Sequence, residues 1–311
     1  MKKKIFFLVV ALSSLQFCFA QSFTLSLWNK NIPNFQKTNE VEISDTSDFI
    51  RIRNVQNPEI SVFLPSKRNA NGQAVVLCPG GGYGYLVYDG EGTDIAKLLN
   101  AHGIAGIVLK YRLPISKSNI VGYESPLLDV QRAMRLTRYH ASEWNIDKDK
   151  IGVMGFSAGG HLASTLGTHF DYGNENSDDP VETESCRPDF MILMYPVITF
   201  TQPFMHKGSR DALLGTSTDS SLIKYFSNEL QVKKDTPPTF IVHASDDKAV
   251  PVENSLVFCK ALVDKNIPVE MHIYSEGGHG FTSAIGNDHL NSWTQRFLDW
   301  LKWLNREDMS K

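Results

Sequence analysis

Cysteine is scarce in this chain: there are four in 311 residues. One of them, Cys18, stands in a stretch that reads as a removable leader. The remaining Cys78, Cys186 and Cys259 are too few, and an odd number, for a disulfide framework, so a small cross-linked scaffold is excluded and one bridge at most is open. Beyond residue 20 no apolar run is long enough for a transmembrane helix, and no stable membrane insertion is expected. No internal repeat, no low-complexity segment and no linker rich in Pro, Gly or Ser divides the chain. A basic cluster is also missing. Lys and Arg number 31 against 34 Asp and Glu, so nucleic acid is not an expected partner. None of the nine histidines has the His-Glu-x-x-His spacing of a catalytic zinc site. Neither a metal nor any cofactor is expected.

What is present begins with the leader. Lys2, Lys3 and Lys4 precede an unbroken apolar run, Ile5 to Leu12, and Cys18-Phe19-Ala20 places small residues before a cleavage point ahead of Gln21. This is the pattern of a secretory signal peptide over residues 1–20. The run is too short to span a bilayer comfortably, and Phe17 is too bulky for a lipid-attachment signal at Cys18. The expected location is therefore secreted or periplasmic. Removing the leader takes away three Lys and no acid.

Residues 21–48 are polar and read as an irregular lead-in. Phe49–Val55 and Glu59–Leu64 read as two strands of a β-hairpin at a sheet edge, joined by Gln56-Asn57-Pro58. From there strands and helices alternate. Strands are predicted at Ala74–Cys78, Ile104–Leu109, Ile151–Met154, Phe190–Met194, Thr239–His243 and Val269–Tyr274. Helices are predicted at Asp94–His102, Leu127–Trp144, Ser157–His169, Ser255–Val263 and Leu290–Leu304. Such alternation specifies an α/β fold, a mostly parallel, doubly wound sheet with helices on both faces, here as a single domain over 49–311. The rhythm breaks at Thr199–Val232, an insertion with two short helical stretches, Ser209–Leu214 and Ser221–Leu230. An insertion after a strand of such a sheet lands near the crevice at the strands' carboxyl ends.

Chemistry concentrates in four places. Gly155-Phe156-Ser157-Ala158-Gly159 lies between a strand and a helix. A serine there sits on a sharp turn with its hydroxyl exposed, and the helix points free N–H groups at the same spot. Serine needs a base. His279, in Glu276-Gly277-Gly278-His279-Gly280 directly after the last predicted strand, is the candidate. His161, one helical turn beyond Ser157, reads as structural; His102 and His140 sit at helix ends, and His243 ends a strand. An acid must orient the imidazole, and Asp246 and Asp247, both after the strand Thr239–His243, compete for that role. Asp246 also reads as a turn residue bonding its own backbone. Finally, Cys78-Pro79-Gly80-Gly81-Gly82-Tyr83 follows a strand. With no Gly-Lys-Ser/Thr ending it is not a nucleotide loop. The N–H of Gly81 or Gly82, with that of Ala158, is placed to hold an oxyanion. Tyr83, Tyr85 and Tyr88 follow these glycines and suit sugar faces, or else pack the loop on the domain. Tyr83 and Tyr85, with Phe156 and Phe281, are the candidate pocket residues.

Together these segments resemble the hormone-sensitive-lipase-like and acetyl-esterase branches of the α/β-hydrolases. The resemblance rests on Pro79-Gly80-Gly81-Gly82-Tyr83, Gly155–Ala163, Tyr195-Pro196-Val197, Pro237–Phe240, Asp247-Lys248-Ala249-Val250-Pro251 and Gly277–Phe281, and covers roughly residues 60–305. It is nearest to secreted bacterial acetyl xylan esterases and related carbohydrate esterases. It implies an α/β-hydrolase fold, selects Asp247 over Asp246 as the acid, and places Ser157, Asp247 and His279 in the family's chain order. It further implies a serine esterase acting on short acyl, chiefly acetyl, esters of small molecules or oligosaccharides such as xylan fragments. Alternatives are a feruloyl or other small-ester hydrolase, a serine peptidase, and a non-catalytic binding protein on the same scaffold. One departure stands out: Pro79 occupies the place of a histidine that usually supports the glycine loop, so the loop must be held differently here.

Overall fold

A computed structural model describes residues 22–29 and 31–304. The signal peptide expected over 1–20 lies outside the described residues. The strands are β1 (Ser22–Ser26), β2 (Ile43–Asp45), β3 (Arg51–Arg53), β4 (Glu59–Phe63), β5 (Ala74–Cys78), β6 (Leu86–Val87), β7 (Ala105–Lys110), β8 (Ile151–Phe156), β9 (Met191–Met194), β10 (Thr239–Ala244) and β11 (Val269–Tyr274). The helices are α1 (Asp94–Ala101), α2 (Glu124–Tyr139), α3 (Ala158–Thr168), α4 (Lys207–Leu214), α5 (Ser220–Tyr225), α6 (Glu253–Asp264) and α7 (Asp288–Leu304).

Eight strands form one sheet in the order β1-β4-β7-β5-β8-β9-β10-β11. Pairings from β7 through β11 are all parallel, whereas β4 runs antiparallel to both β1 and β7. Parallel strands covered on both faces need continuous apolar runs. Accordingly every residue of β5, β7, β8, β9 and β10 is buried. The side chains alternate between two core layers. Val76 and Cys78 pack with α2, α3 and α6 through Val130, Leu162 and Phe258. Val75 and Leu77 face the other way, toward α1 and α7 through Leu99, Trp293 and Phe297.

The N-terminal region differs from expectation. The predicted hairpin does not form: β3 joins β2 and β6 in a separate three-stranded sheet, while both edges of β4 are taken by β1 and β7. Asn54, at φ 52°, turns the chain out between them. Nor is the lead-in irregular throughout. Ser22–Ser26 is an edge strand of the main sheet, Leu27 is fully buried, and the Trp28 indole donates to Asp129 at 3.1 Å. The folded unit therefore begins before residue 49. Cys78, Cys186 and Cys259 are free. Among the described residues no helix is long and apolar enough to cross a membrane, and no group of three or more His, Cys, Asp and Glu could hold a metal ion.

β5 is flanked by β7 on one side and β8 on the other. The chain leaves it first toward β7, then returns past it to β8. This is the topological switch at whose carboxyl end such sheets bind ligands. The glycine loop leaves β5 there, and Ser157 leaves β8 beside it.

Candidate active site

β8 ends at Phe156 and α3 starts at Ala158, so Ser157 has to turn the chain alone. It does so at φ 53°, ψ −119°, a conformation that costs a non-glycine residue about 1–3 kcal/mol and persists only where neighbours enforce it. Three backbone bonds enforce it here. The Ser157 N–H donates to Met194 O, and the Ser157 carbonyl accepts from Val197 and His161 N–H, at 3.0, 3.0 and 3.2 Å. Gly159 is required beside it: a Cβ there would lie 2.0 Å from the Cys78 carbonyl oxygen, so only glycine lets α3 press this close to β5.

The Ser157 Oγ–H donates to His279 Nε2 at 2.8 Å, and His279 Nδ1–H donates to Asp247 Oδ2 at 2.6 Å. Asp247 follows β10 and its side chain is fully buried. Burial alone would raise its pKa. Hydrogen bonds from His243, His279 and the Val250 N–H outweigh burial and hold the carboxyl well below the usual carboxylate range. Its Oδ1 accepts from Ala249 and Val250 N–H, both at 2.9 Å. Asp246 does not bond its own turn. It accepts from Gly278 N–H at 2.8 Å, pinning the loop that carries His279.

The glycine loop faces Ser157. Among the described residues the N–H groups of Gly81, Gly82 and Ala158 have no protein acceptor, and Ala158 opens α3, where the helix dipole favours negative charge. Pro79 is compensated by three contacts. Tyr111 OH donates to the Pro79 carbonyl at 2.7 Å, Gly80 N–H donates to Glu91 Oε2 at 2.6 Å, and Tyr83 OH donates to His161 Nδ1 at 2.9 Å. His161 donates from Nε2 to the Phe226 carbonyl at 2.9 Å, and burial pushes its imidazole down to about 4, keeping it neutral.

Residues 60–262 match the BD-FAE family, and residues 222–306 the dienelactone hydrolase family. The chain belongs to the BD-FAE family. The BD-FAE chain is similar to an acetyl ester-xyloside bifunctional hydrolase from Caldicellulosiruptor lactoaceticus, with a TM-score of 0.79 and 39% identity over 91% of this chain and 96% of that one. It is 40% identical over 220 residues to endo-1,4-beta-xylanase B of Butyrivibrio fibrisolvens, covering 71% of this chain and 34% of that protein. It is 36% identical over 244 residues to an acetylxylan esterase of Xylanibacter ruminicola, covering 77% and 47%. The chain thus spans less than half the length of these two relatives. The fold is that of the α/β hydrolases, as the resemblance implied.

Two of the expected pocket residues of the BD-FAE chain are buried side chains. Phe156 is fully buried against Tyr195, because it closes β8 on the core face. Tyr83 is buried too, its hydroxyl spent on His161. Tyr88, whose hydroxyl bonds Ser61 Oγ at 2.8 Å, likewise packs the loop on the domain. Tyr85 stays partly exposed with Arg53 4.8 Å over its ring, and Phe281 is partly exposed against Tyr195 at 4.8 Å. Three residues escaped sequence reasoning. His243 donates from Nε2 to Asp247 Oδ2 at 3.2 Å and to the Val250 carbonyl at 3.0 Å, a second imidazole behind the carboxylate. His206, in the insertion, caps α4 by accepting from Ser209 N–H; burial and the neighbouring His279 push its pKa down, with Asp247 opposing. Glu91 lies buried under the glycine loop. Spacing to Asp247 could have flagged His243, but nothing in the sequence around His206 or Glu91 resembles a motif.

Proposed function

We propose that this protein is a serine esterase that removes short acyl groups, acetyl above all, from carbohydrates such as xylan fragments through an acyl-enzyme. The observation that carries the reading is the unbroken hydrogen-bonded series Ser157–His279–Asp247, at 2.8 and 2.6 Å, beside unpaired N–H groups. In this reading His279 Nε2 takes the Ser157 proton as Oγ attacks the acyl carbonyl. Asp247 stabilises the resulting imidazolium. The oxyanion is held by the N–H of Ala158 and of Gly81 or Gly82, each donor contributing on the order of 3 kcal/mol in the transition state. His279 then protonates the departing sugar oxygen. Water, deprotonated by the same imidazole, frees the acid and restores Ser157. The carbohydrate acetyl ester is supported by the xylan-related names of the relatives.

A hydrolysis panel tests this. kcat/KM should fall from acetyl to butyryl to octanoyl esters, since each methylene offers about 0.8 kcal/mol of burial only if a groove receives it. A rise with chain length would indicate a lipase-like site, and a preference for feruloyl esters the runner-up. A fluorophosphonate should label the wild type and leave Ser157→Ala unlabelled; equal labelling of both would remove Ser157 from its role. Export is proposed from the leader pattern alone, and N-terminal sequencing of the mature protein should begin at Gln21.

A further inference from the structure

We propose that Glu91 is a positioning residue for this reaction, holding the oxyanion loop and the His279 loop in register with one another. The proposal rests on the serine-esterase reading above. Glu91 sits in a short π-helical turn, Asp89–Thr93, just before α1. Such turns carry one extra residue per turn and are frequent at functional sites; this one places the side chain inside the domain, 4% exposed.

Its two oxygens serve two different loops. Oε2 accepts from Gly80 N–H at 2.6 Å, in the loop that presents Gly81 and Gly82. Oε1 accepts from Tyr195 OH at 3.0 Å. The Tyr195 oxygen accepts in turn from Thr282 N–H at 3.3 Å, three residues beyond His279. The Tyr195 ring stands edge-on to His279 at 5.0 Å and to Phe281 at 4.8 Å. Glu91 therefore ties the loop after β5 to the residue after β9 and, through it, to the loop after β11. Gly80 is clamped between this carboxyl and the serine turn: a Cβ on it would lie 2.8 Å from Glu91 Oε2 and 3.0 Å from Ser157 Cβ. Any sideways drift of the carboxyl is passed directly to the oxyanion loop.

No cation pairs with Glu91 among the described residues. The titratable groups that face it are Tyr195, Tyr111 and His279. Burial pushes the carboxyl up to about 7 against the pull of Gly80, Tyr195 and His279. A buried carboxyl without a counter-ion is a cost to the fold. A purely structural core at this place would be served by an apolar side chain, whereas a part that must hold both the Gly80 N–H and the Tyr195 hydroxyl needs two polar atoms.

The test compares Glu91→Ala, Glu91→Gln and Tyr195→Phe with the wild type on an acetyl ester, with folding checked by thermal melting. Displacing the reacting groups by about 1 Å can cost on the order of 10²-fold in rate. Glu91→Ala should lower kcat by about 10- to 100-fold with KM within about twofold, because the loop it holds acts on the transition state. Tyr195→Phe should shift kcat in the same direction by less. Glu91→Gln should restore most of kcat, its amide oxygen accepting from Gly80 and its NH2 donating to the Tyr195 oxygen. If Glu91→Ala does not fold, the other two variants keep the side-chain volume and carry the decision. Unchanged kcat in Tyr195→Phe, or a KM effect alone in any folded variant, overturns the proposal. Failure of the underlying reading looks different: Ser157→Ala would then remain active, whatever Glu91 does.

Discussion

Ser157, Asp247 and His279 each end or follow a strand, but the two neighbouring aspartates separate by only one residue and do different work. Asp247 accepts the His279 Nδ1 proton, while Asp246 holds the backbone of the same loop at Gly278. Asp247→Asn should lower kcat by about 10³- to 10⁴-fold, as loss of an orienting carboxylate does. Asp246→Asn should cost far less, and steady-state kinetics on both will rank them; the reverse order would exchange their roles. Ionisation also acts on stability, with opposite signs for two carboxyls. Asp247, held low in the folded state, contributes stability that is present above the ordinary carboxylate pKa of about 4 and is lost as pH falls through its folded value. Glu91 is raised from 4.5 to about 7. Between those values the unfolded chain has released the proton that the folded chain still holds, so stability falls as pH rises, by about 3 kcal/mol in total. Glu91→Gln cannot titrate. The difference in unfolding free energy between wild type and this variant, measured by denaturant at pH 4.5 and pH 8, should move against the wild type by about that amount, and a pH-independent difference would contradict the burial effect.

The elements that sequence alone placed well are those buried on both faces. β5 matches residue for residue, β10 extends its prediction by Ala244 and β8 by Gly155 and Phe156, since an unbroken apolar run between turn residues leaves few alternatives. β11 also matches residue for residue, although it is a half-exposed edge strand with Glu270 and His272 in its run. Three short strands, β1, β2 and β6, were illegible for the converse reason. They are two to five residues long and about half polar, and β3, which lies within the predicted strand Phe49–Val55, takes β2 and β6 as partners rather than β4. Site residues divide in the same way. Ser157, His279 and the glycine loop stand in local motifs at strand ends. Glu91 reads as an ordinary acid before a helix, and only the crossing of three loops reveals its two donors. Tyr83 was ambiguous in sequence because a tyrosine's polar tip suits a sugar and a buried imidazole equally, and it satisfies the second. The N-terminal segment offers the sharpest check at this scale. Leu27 is fully buried, and Arg132 donates to its carbonyl at 2.9 Å. Leu27→Ala should cost about 2–5 kcal/mol, as core truncations do. A residue of an irregular lead-in would cost less than about 0.5 kcal/mol in the same denaturation experiment.

Across the whole molecule, one sheet carries two core layers and brings to its carboxyl edge the loops that follow β5, β8, β9, β10 and β11. The short insertion Thr199–Val232 adds α4 and α5 to this end, and through His161 and Phe226 it is bonded to the same helix that Ser157 begins. The relatives are longer than the region they share with this chain, so the arrangement described here is one that also occurs within larger proteins.

The Ser157–His279 bond joins residues 122 apart, and the His279–Asp247 bond residues 32 apart. Contacts of such separation form slowly, because the loop entropy must be spent before the contact rewards it. During refolding, helical circular dichroism should recover first and fluorophosphonate labelling later, once β11 has docked on β10 and swung His279 over the serine. Superimposable time courses would mean that the last strands assemble with the rest. On the proposed serine-esterase reading, Ser157 thus doubles as a clock for the final step of folding, readable with the same covalent probe that tests its role.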